Sequence, residues 1–252
     1  MKQGFIIPVY RHGRTACPIA QRLAATGLPV ILVDDGNEAE AQKLLAECAE
    51  GTPGVALVRL EKNSGKGAAF SKGLEKAVEL GLTHVLQVDA DGQHDMDRVD
   101  LFLKESAAHP DKVICGYPVF DKSAPWSRVN GRKISTFWAS FVTLSTEFKD
   151  VLCGFRVYPV KESLRITKAP FFSKRMGFDA EIIVRLYWGN ILPIFHPVRV
   201  TYPLDGVSNF HMVKDNFSIS WMFTRLCIGM ALRLPLLICR KIRRKINRKR
   251  GS

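Results

Sequence analysis

Short apolar runs at residues 4–10, 29–33, 55–60, 84–88 and 112–117 alternate with longer stretches, 14–26, 38–49, 66–80 and 96–108, whose apolar positions recur at helical spacing. The runs read as strands and the amphipathic stretches as helices. Parallel neighbours need a long return connection, so the alternation predicts an α/β fold with a mostly parallel sheet and crossover helices. After residue 119 the alternation weakens. The pattern there predicts a loop carrying Arg128 and Arg132, an apolar helix near 134–144, a strand over 151–158, a helix over 179–188 and a last strand over 191–202.

In such sheets ligands bind outside the carboxyl ends of the strands, so the residues that follow each run carry the candidate chemistry. The second strand ends in Asp34-Asp35-Gly36-Asn37, the third in Lys62-Asn63-Ser64-Gly65-Lys66-Gly67 and the fourth in Asp89-Ala90-Asp91-Gly92-Gln93-His94. Asp89 and Asp91, two residues apart on extended chain, bring two carboxylates together. A divalent cation between them and a diphosphate relieves their repulsion. Gln93 continues the spacing with a neutral oxygen, and this oxygen-rich set suits Mg²⁺ or Mn²⁺. Acids in this place also serve as caps for the following helix.

Asp34 and Asp35 admit two readings, turn chemistry or a hydrogen bond to the base or ribose of a nucleotide. The 63–67 stretch lacks the spacing of a kinase phosphate loop and the third glycine of a dinucleotide loop. Its glycines and Lys66 either touch a donor phosphate or simply begin a helix. Asp179 and Glu181, at the start of a predicted helix, are placed equally well for capping and for catalysis.

A chain of 252 residues, 46% hydrophobic, is long enough for one substantial core. Its net charge of +13 is uneven, since Arg240, Lys241, Arg243, Arg244, Lys245, Arg248, Lys249 and Arg250 follow one another with no acid between them; removing these eight leaves +5. The body is therefore only mildly basic, and nucleic acid is not an expected partner. Six widely spaced cysteines without zinc-ligand spacing are expected to be free thiols in a reducing cytoplasm, and no secretion signal is expected at the N-terminus.

Residues 216–239 are strongly apolar but include Arg225, Arg233 and Pro235, so they are expected to fall short of a membrane span. Arg225 and Arg233 share one helical face, as in a helix lying in a membrane interface, and the basic tail would attract an anionic surface. The other reading is a helix packed on the domain. The division expected is a catalytic domain over 1–212 and a membrane-association segment over 213–252, peripherally attached at the cytoplasmic face.

Taken together, these residues resemble glycosyltransferase family 2 of the GT-A fold, in the branch of the dolichyl-phosphate mannose synthases and related polyprenyl-phosphate glycosyltransferases. The resemblance covers roughly residues 5–209. It rests on Ile7-Pro8-Val9-Tyr10, Val33-Asp34-Asp35-Gly36-Asn37, the stretch from Asn63 to Gly73, Val88-Asp89-Ala90-Asp91-Gly92-Gln93 and Cys153-Gly154-Phe155-Arg156-Val157-Tyr158. It implies donor binding by Pro8, Tyr10, Asp35, Lys66 and Asp89, and cation and diphosphate binding by Asp89, Asp91 and Gln93. Arg132 and Arg156 are the implied acceptor-binding residues, and Asp179 and Asp91 the implied catalytic ones. The chain departs from the family at Arg11-His12-Gly13-Arg14, and the family's late basic motif is not distinct near His211.

The activity expected is inverting, metal-dependent transfer of a sugar from a nucleotide diphosphate donor to a lipid or lipid-phosphate acceptor. The rivals are a nucleotidyltransferase, which releases pyrophosphate instead, and a non-enzymatic membrane or nucleic-acid adaptor that uses the basic tail.

Overall fold

In the computed structural model the chain is described over residues 1–119, 126–200 and 212–250, with side chains over the same ranges except 126–128, 212–214 and 247–250. The 202–211 stretch with His211 and the side chains of Arg128, Arg248, Lys249 and Arg250 lie outside the described residues.

The alternating half folds as expected into β1 (Gln3–Val9), α1 (Gly13–Ala24), β2 (Val30–Asp35), α2 (Ala39–Gly51), β3 (Val55–Leu60), α3 (Lys66–Glu79) and β4 (His84–Gln87). A single 3₁₀ turn, Met96–Arg98, precedes α4 (Val99–Ala108) and β5 (Val113–Val119). Then come α5 (Trp126–Thr143), β6 (Arg156–Pro159), α6 (Val160–Thr167), α7 (Phe178–Trp188), β7 (Pro193–Arg199) and α8 (Met212–Arg250). The strands form one sheet in the order β3-β2-β1-β4-β6-β5-β7. All neighbours are parallel except β6, which runs antiparallel to both β4 and β5. The strand expected over 151–158 begins only at Arg156, because the Asp150 carboxylate accepts the N–H groups of Leu152 and Cys153 and turns the chain.

Helices cover both faces of the sheet, which is why its strands read as nearly continuous apolar runs. Along β1, Phe5, Ile7 and Val9 face a core built with α1 and α4, while Ile6 faces a second core built with α3, α5, α7 and α8. On this second face the register lines up Ile31, Ile6, Gln87, Arg156, Cys115 and Phe195 in one row across the sheet. Two polar side chains thus interrupt an apolar row directly beneath the carboxyl end of β4.

Helix α8 lies along the domain. Met222, Phe223, Leu226 and Leu237 are buried against it. The arginines on that helical face also turn inward: the Arg233 guanidinium sits 4.9 Å from the Trp188 ring centroid, Arg240 donates to the Trp188 carbonyl, and Arg244 donates to Tyr187 and Asn190. Guanidinium groups gather where α7 exposes its last carbonyls and the negative end of its dipole. Arg225 and Arg233 both meet α7 or its neighbours, Arg233 while remaining exposed, so the other reading, a helix packed on the domain, describes this face. The expectation on length is corrected, since Asp215–Ile246 is long and apolar enough by composition to cross a membrane.

Candidate active site

Asp34 and Asp35 close β2 as buried braces. Asp34 Oδ1 accepts from Asn37 N at 2.9 Å and Asn37 Nδ2 at 2.7 Å, and its Oδ2 accepts from Arg59 Nε at 2.9 Å. Asn37 in turn donates to the Val9 carbonyl and accepts from Arg11 N, which ties the ends of β1 and β2 together. Asp35 accepts from Ser64 N at 2.8 Å, Gly65 N at 2.9 Å and Asn63 Nδ2 at 3.2 Å. Burial raises its pKa in spite of these hydrogen bonds. At 2% exposure, with its carboxylate turned into the 63–65 loop, Asp35 presents no free oxygen to a nucleoside in this structure. The crossing is tight enough that a Cβ on Gly36, at φ +68°, would stand 2.3 Å from Asn63 N.

The glycine-rich stretch before α3 is closed by the chain itself. Gly67 N and Ala68 N donate to the Lys174 carbonyl at 2.8 and 3.4 Å. Arg175 grips the Asn63 side-chain and main-chain oxygens at 2.8 and 3.0 Å. The helix N-terminus therefore offers no row of free amides, and the open phosphate cradle considered for residues 63–67 is not formed. Lys66 turns inward instead.

Its ammonium bridges two carboxylates, 2.8 Å from Asp89 Oδ1 and 3.0 Å from Asp179 Oδ2. Burial pulls the Lys66 pKa down, but the two carboxylates outweigh it and hold the group above its ordinary value. Burial pushes Asp89 up, but Lys66 and His94 outweigh that and hold it well below the usual carboxylate range. His94 Nε2 lies 3.2 Å from Asp89 Oδ2 and Gln87 Nε2 donates to Oδ1 at 3.3 Å, so both Asp89 oxygens are engaged. Gly154 passes beneath the bridge, where a Cβ would stand 2.6 Å from Asp89 Oδ2 and 2.7 Å from Lys66 Nζ. His94 and Gly154 were present in the sequence motifs without a role; His94 meets Asp89 within the same motif, only five residues away, whereas the neighbours of Gly154, Asp89 and Lys66, lie too far along the chain for spacing to reveal them.

The acids of α7 divide their roles. Glu181 points into the protein and is fully buried, whereas Asp179 faces the bridge and its buried Oδ1 has no hydrogen-bond partner among the described residues. Arg156, expected to bind an acceptor, is fully buried below the site and donates from Nη1 to the Asp179 carbonyl at 2.6 Å. In this structure it supports the start of α7, while its Nε and Nη2 have no hydrogen-bond partner among the described residues. Arg132 holds Asp150 through two contacts of 3.0 Å at the base of the 150–155 loop. Pro8 and Tyr10 are partly exposed at the end of β1, with the Arg11 guanidinium 5.1 Å from the Tyr10 ring centroid.

The structure modifies the expected cation site. Among the described residues no group of three or more His, Cys, Asp or Glu is arranged to hold a metal. Asp89 is committed to Lys66 and His94, while the Asp91 carboxylate, half-buried, accepts only Gln93 N, at 3.0 Å, among the described residues. One carboxylate and an amide fit a hard cation whose remaining ligands are diphosphate oxygens and water.

A mostly parallel sheet flanked by helices, with acids at its carboxyl edge, is the architecture of the GT-A fold. Residues 5–196 match the Glycosyl transferase family 2 profile, and the chain belongs to that family. It is a glycosyltransferase. It is 28% identical over 210 residues to a dolichyl-phosphate beta-glucosyltransferase of Dictyostelium discoideum, covering 77% of this chain and 63% of that protein. It is 23% identical over 248 residues to a UDP-N-acetylglucosamine–dolichyl-phosphate N-acetylglucosaminyltransferase of Methanococcus voltae, covering 90% and 96%. Glucosyl-3-phosphoglycerate synthase from Mycobacterium tuberculosis, solved with Mn²⁺, uridine-diphosphate-glucose and phosphoglyceric acid, shares the fold with a TM-score of 0.62 at 12% identity, covering 90% of this chain and 79% of that one.

Proposed function

We propose that the chain transfers a sugar, with inversion, from a UDP- or GDP-linked donor to a polyprenyl phosphate or another membrane lipid. The observation that carries this reading is the Lys66 bridge between Asp89 and Asp179 at the carboxyl edge of the sheet. The lipid-phosphate acceptors named for the Dictyostelium and Methanococcus relatives support the acceptor class. Asp91 and Gln93 are the residues we assign to a divalent cation, Mg²⁺ or Mn²⁺. When bound, that cation neutralises charge on the departing diphosphate.

In this reading the acceptor oxygen bonds to the anomeric carbon as the bond to the diphosphate breaks on the opposite face, and the electron pair leaves with the nucleoside diphosphate. A hydroxyl acceptor gives its proton to Asp179, whose Oδ1 has no hydrogen-bond partner among the described residues and whose charge Lys66 balances. A phosphate acceptor is already charged, and Asp179 then only orients it. Arg132 is assigned to the acceptor phosphate, Pro8 and Tyr10 to the nucleoside, and Arg156 to holding Asp179 in place. Family membership sets aside the nucleotidyltransferase and the adaptor.

We further propose that residues 1–212 form the catalytic domain and 213–252 dock it peripherally on the cytoplasmic face of a membrane. Ile134, Phe137, Trp138 and Phe141 make an exposed stripe on α5, and Phe217, Trp221, Ile228 and Leu232 make another on α8. Trp138 and Phe223 join the two helices, with ring centroids 6.3 Å apart. Apolar surface of this extent is a feature of interaction sites. While α8 is held to α7 from Arg225 to Arg244 it lies beside the domain, which favours docking over spanning.

The test is calorimetric titration of UDP and GDP, each with and without Mn²⁺, into the native protein and Asp91→Ala. Cation-dependent binding of one nucleotide, lost in the variant, is expected. Absence of binding by both nucleotides would sink the donor assignment.

A further inference from the structure

Helix α8 reaches toward the site through Arg225. Its Nη2 lies 3.1 Å from Ser173 Oγ and 3.4 Å from Glu181 Oε2, and Ser173 N donates to that same glutamate oxygen at 2.9 Å. The other Glu181 oxygen is held by Arg185 at 2.6 Å. Two arginines around a fully buried carboxylate carry a desolvation cost that such clusters commonly fail to recover as stability. What this cluster does is fix a position.

Ser173 is packed where three helices meet. Its carbonyl oxygen is 2.7 Å from where a Cβ on Gly67 would stand, and its hydroxyl is 2.9 Å from a Cβ on Gly177, so both neighbours must be glycine for it to fit. The next residue, Lys174, receives the first amides of α3, and Arg175 grips Asn63. Residues 173–175 are thus tied to α8 at one end and shape the first turn of α3 at the other. That turn carries Lys66.

We propose that Arg225 is a positioning residue for the active centre: by holding Ser173 and Glu181, it couples the seating of α8 to the placement of Lys66 between Asp89 and Asp179. The catalytic consequence rests on the reading of that bridge as the active centre, whereas the structural coupling does not. A helix proposed to sit on lipid would in this way help to shape the site that uses the lipid.

The test is hydrogen exchange by mass spectrometry on the full chain, comparing native protein with Arg225→Met, Arg225→Lys, Ser173→Ala and, as a control at the far end of the contact, Arg233→Met. Exchange in residues 64–70 is expected to rise about tenfold in Arg225→Met, as local opening becomes easier, and less in Ser173→Ala. Arg225→Lys should restore much of the protection and Arg233→Met should leave it unchanged. With the donor that binds, kcat in Arg225→Met is expected to fall about tenfold from misplacement of Lys66, with unchanged binding to anionic lipid vesicles. Unchanged exchange in residues 64–70 in both Arg225→Met and Ser173→Ala overturns the coupling, and if Arg225→Met unfolds, Ser173→Ala decides. Failure of native protein to bind UDP or GDP overturns the donor reading and leaves the exchange result to judge the coupling.

Discussion

Lys66 and Asp179 stand 113 residues apart in sequence, yet the ammonium of one lies 3.0 Å from the carboxylate of the other. The contact joins the first turn of α3 to the first turn of α7 across the carboxyl edge of the sheet. Asp89 completes the bridge from β4.

Replacing Lys66 by Met leaves two neighbouring carboxylates without their shared counter-charge. Turnover is expected to fall by about 10²-fold or more, as for loss of a preorganised charge in an active site. Steady-state kinetics with the donor identified by calorimetry, alongside a thermal melt, separates lost chemistry from lost fold; near-native turnover would remove Lys66 from the site.

Asp179→Asn distinguishes the two classes of acceptor. With a hydroxyl acceptor, loss of the base should lower kcat by about 10²–10⁴-fold. With a phosphate acceptor the loss should be much smaller. The comparison requires transfer assays with polyprenyl phosphate and with a free polyprenol.

Gly154→Ala pushes a methyl group into the Lys66–Asp89 contact. The expected result is about 1–3 kcal/mol of destabilisation from overpacking, with a loss of activity larger than the loss of folded protein. Urea unfolding and turnover on the same sample check this; unaltered behaviour in both means that the bridge has room to shift.

The shifts around the bridge set a pH dependence of stability. Asp89 is held below its ordinary 3.8, so its contribution is in place above that value and is lost as pH falls through the depressed folded pKa. Lys66 is held above its ordinary 10.5, so its contribution is in place below 10.5 and is lost as pH rises through the raised folded pKa. Asp35 has the opposite sign to Asp89: its raised pKa contributes stability below 3.8 that is lost as pH rises through the folded value. Urea midpoints for native protein should therefore be flat between about pH 6 and 9 with respect to Asp89 and Lys66, and Asp89→Asn should show a shallower fall in acid than the native chain.

Phe137→Glu with Phe141→Glu places two charges on the exposed stripe of α5 without touching the bridge. Co-sedimentation with anionic vesicles is expected to drop about tenfold or more while the circular dichroism spectrum stays native. Full retention of binding would confine the membrane contact to α8.

The strand–helix order of the first half was legible in the sequence because a sheet covered on both faces demands continuous apolar runs, and amphipathic crossovers have their own period. The acids at the ends of β2 and β4 were legible as well, since the carboxyl edge is where an open α/β sheet exposes its loops. Less visible was what each acid does. Asp34 and Asp35 look as available as Asp89 in a linear reading, but folding turns them into braces for Asn37, Arg59 and the 63–65 loop.

Arg156 and Arg225 show the same limit. In sequence one arginine follows Gly154-Phe155 and looks like a ligand contact, and the other interrupts an apolar helix and looks like part of a membrane-interface face. In the fold, Arg156 takes its place in a cross-strand row beneath the site, and Arg225 meets a buried glutamate on another helix. The sequence by itself determined the α/β order, the acidic strand ends and the apolar C-terminal segment, because each depends on neighbours a few residues away. Only the tertiary structure decided which charges pair, because Lys66, Asp89, Asp179 and Arg225 acquire their partners through long-range packing, and burial fixes whether a charge faces a ligand or another side chain.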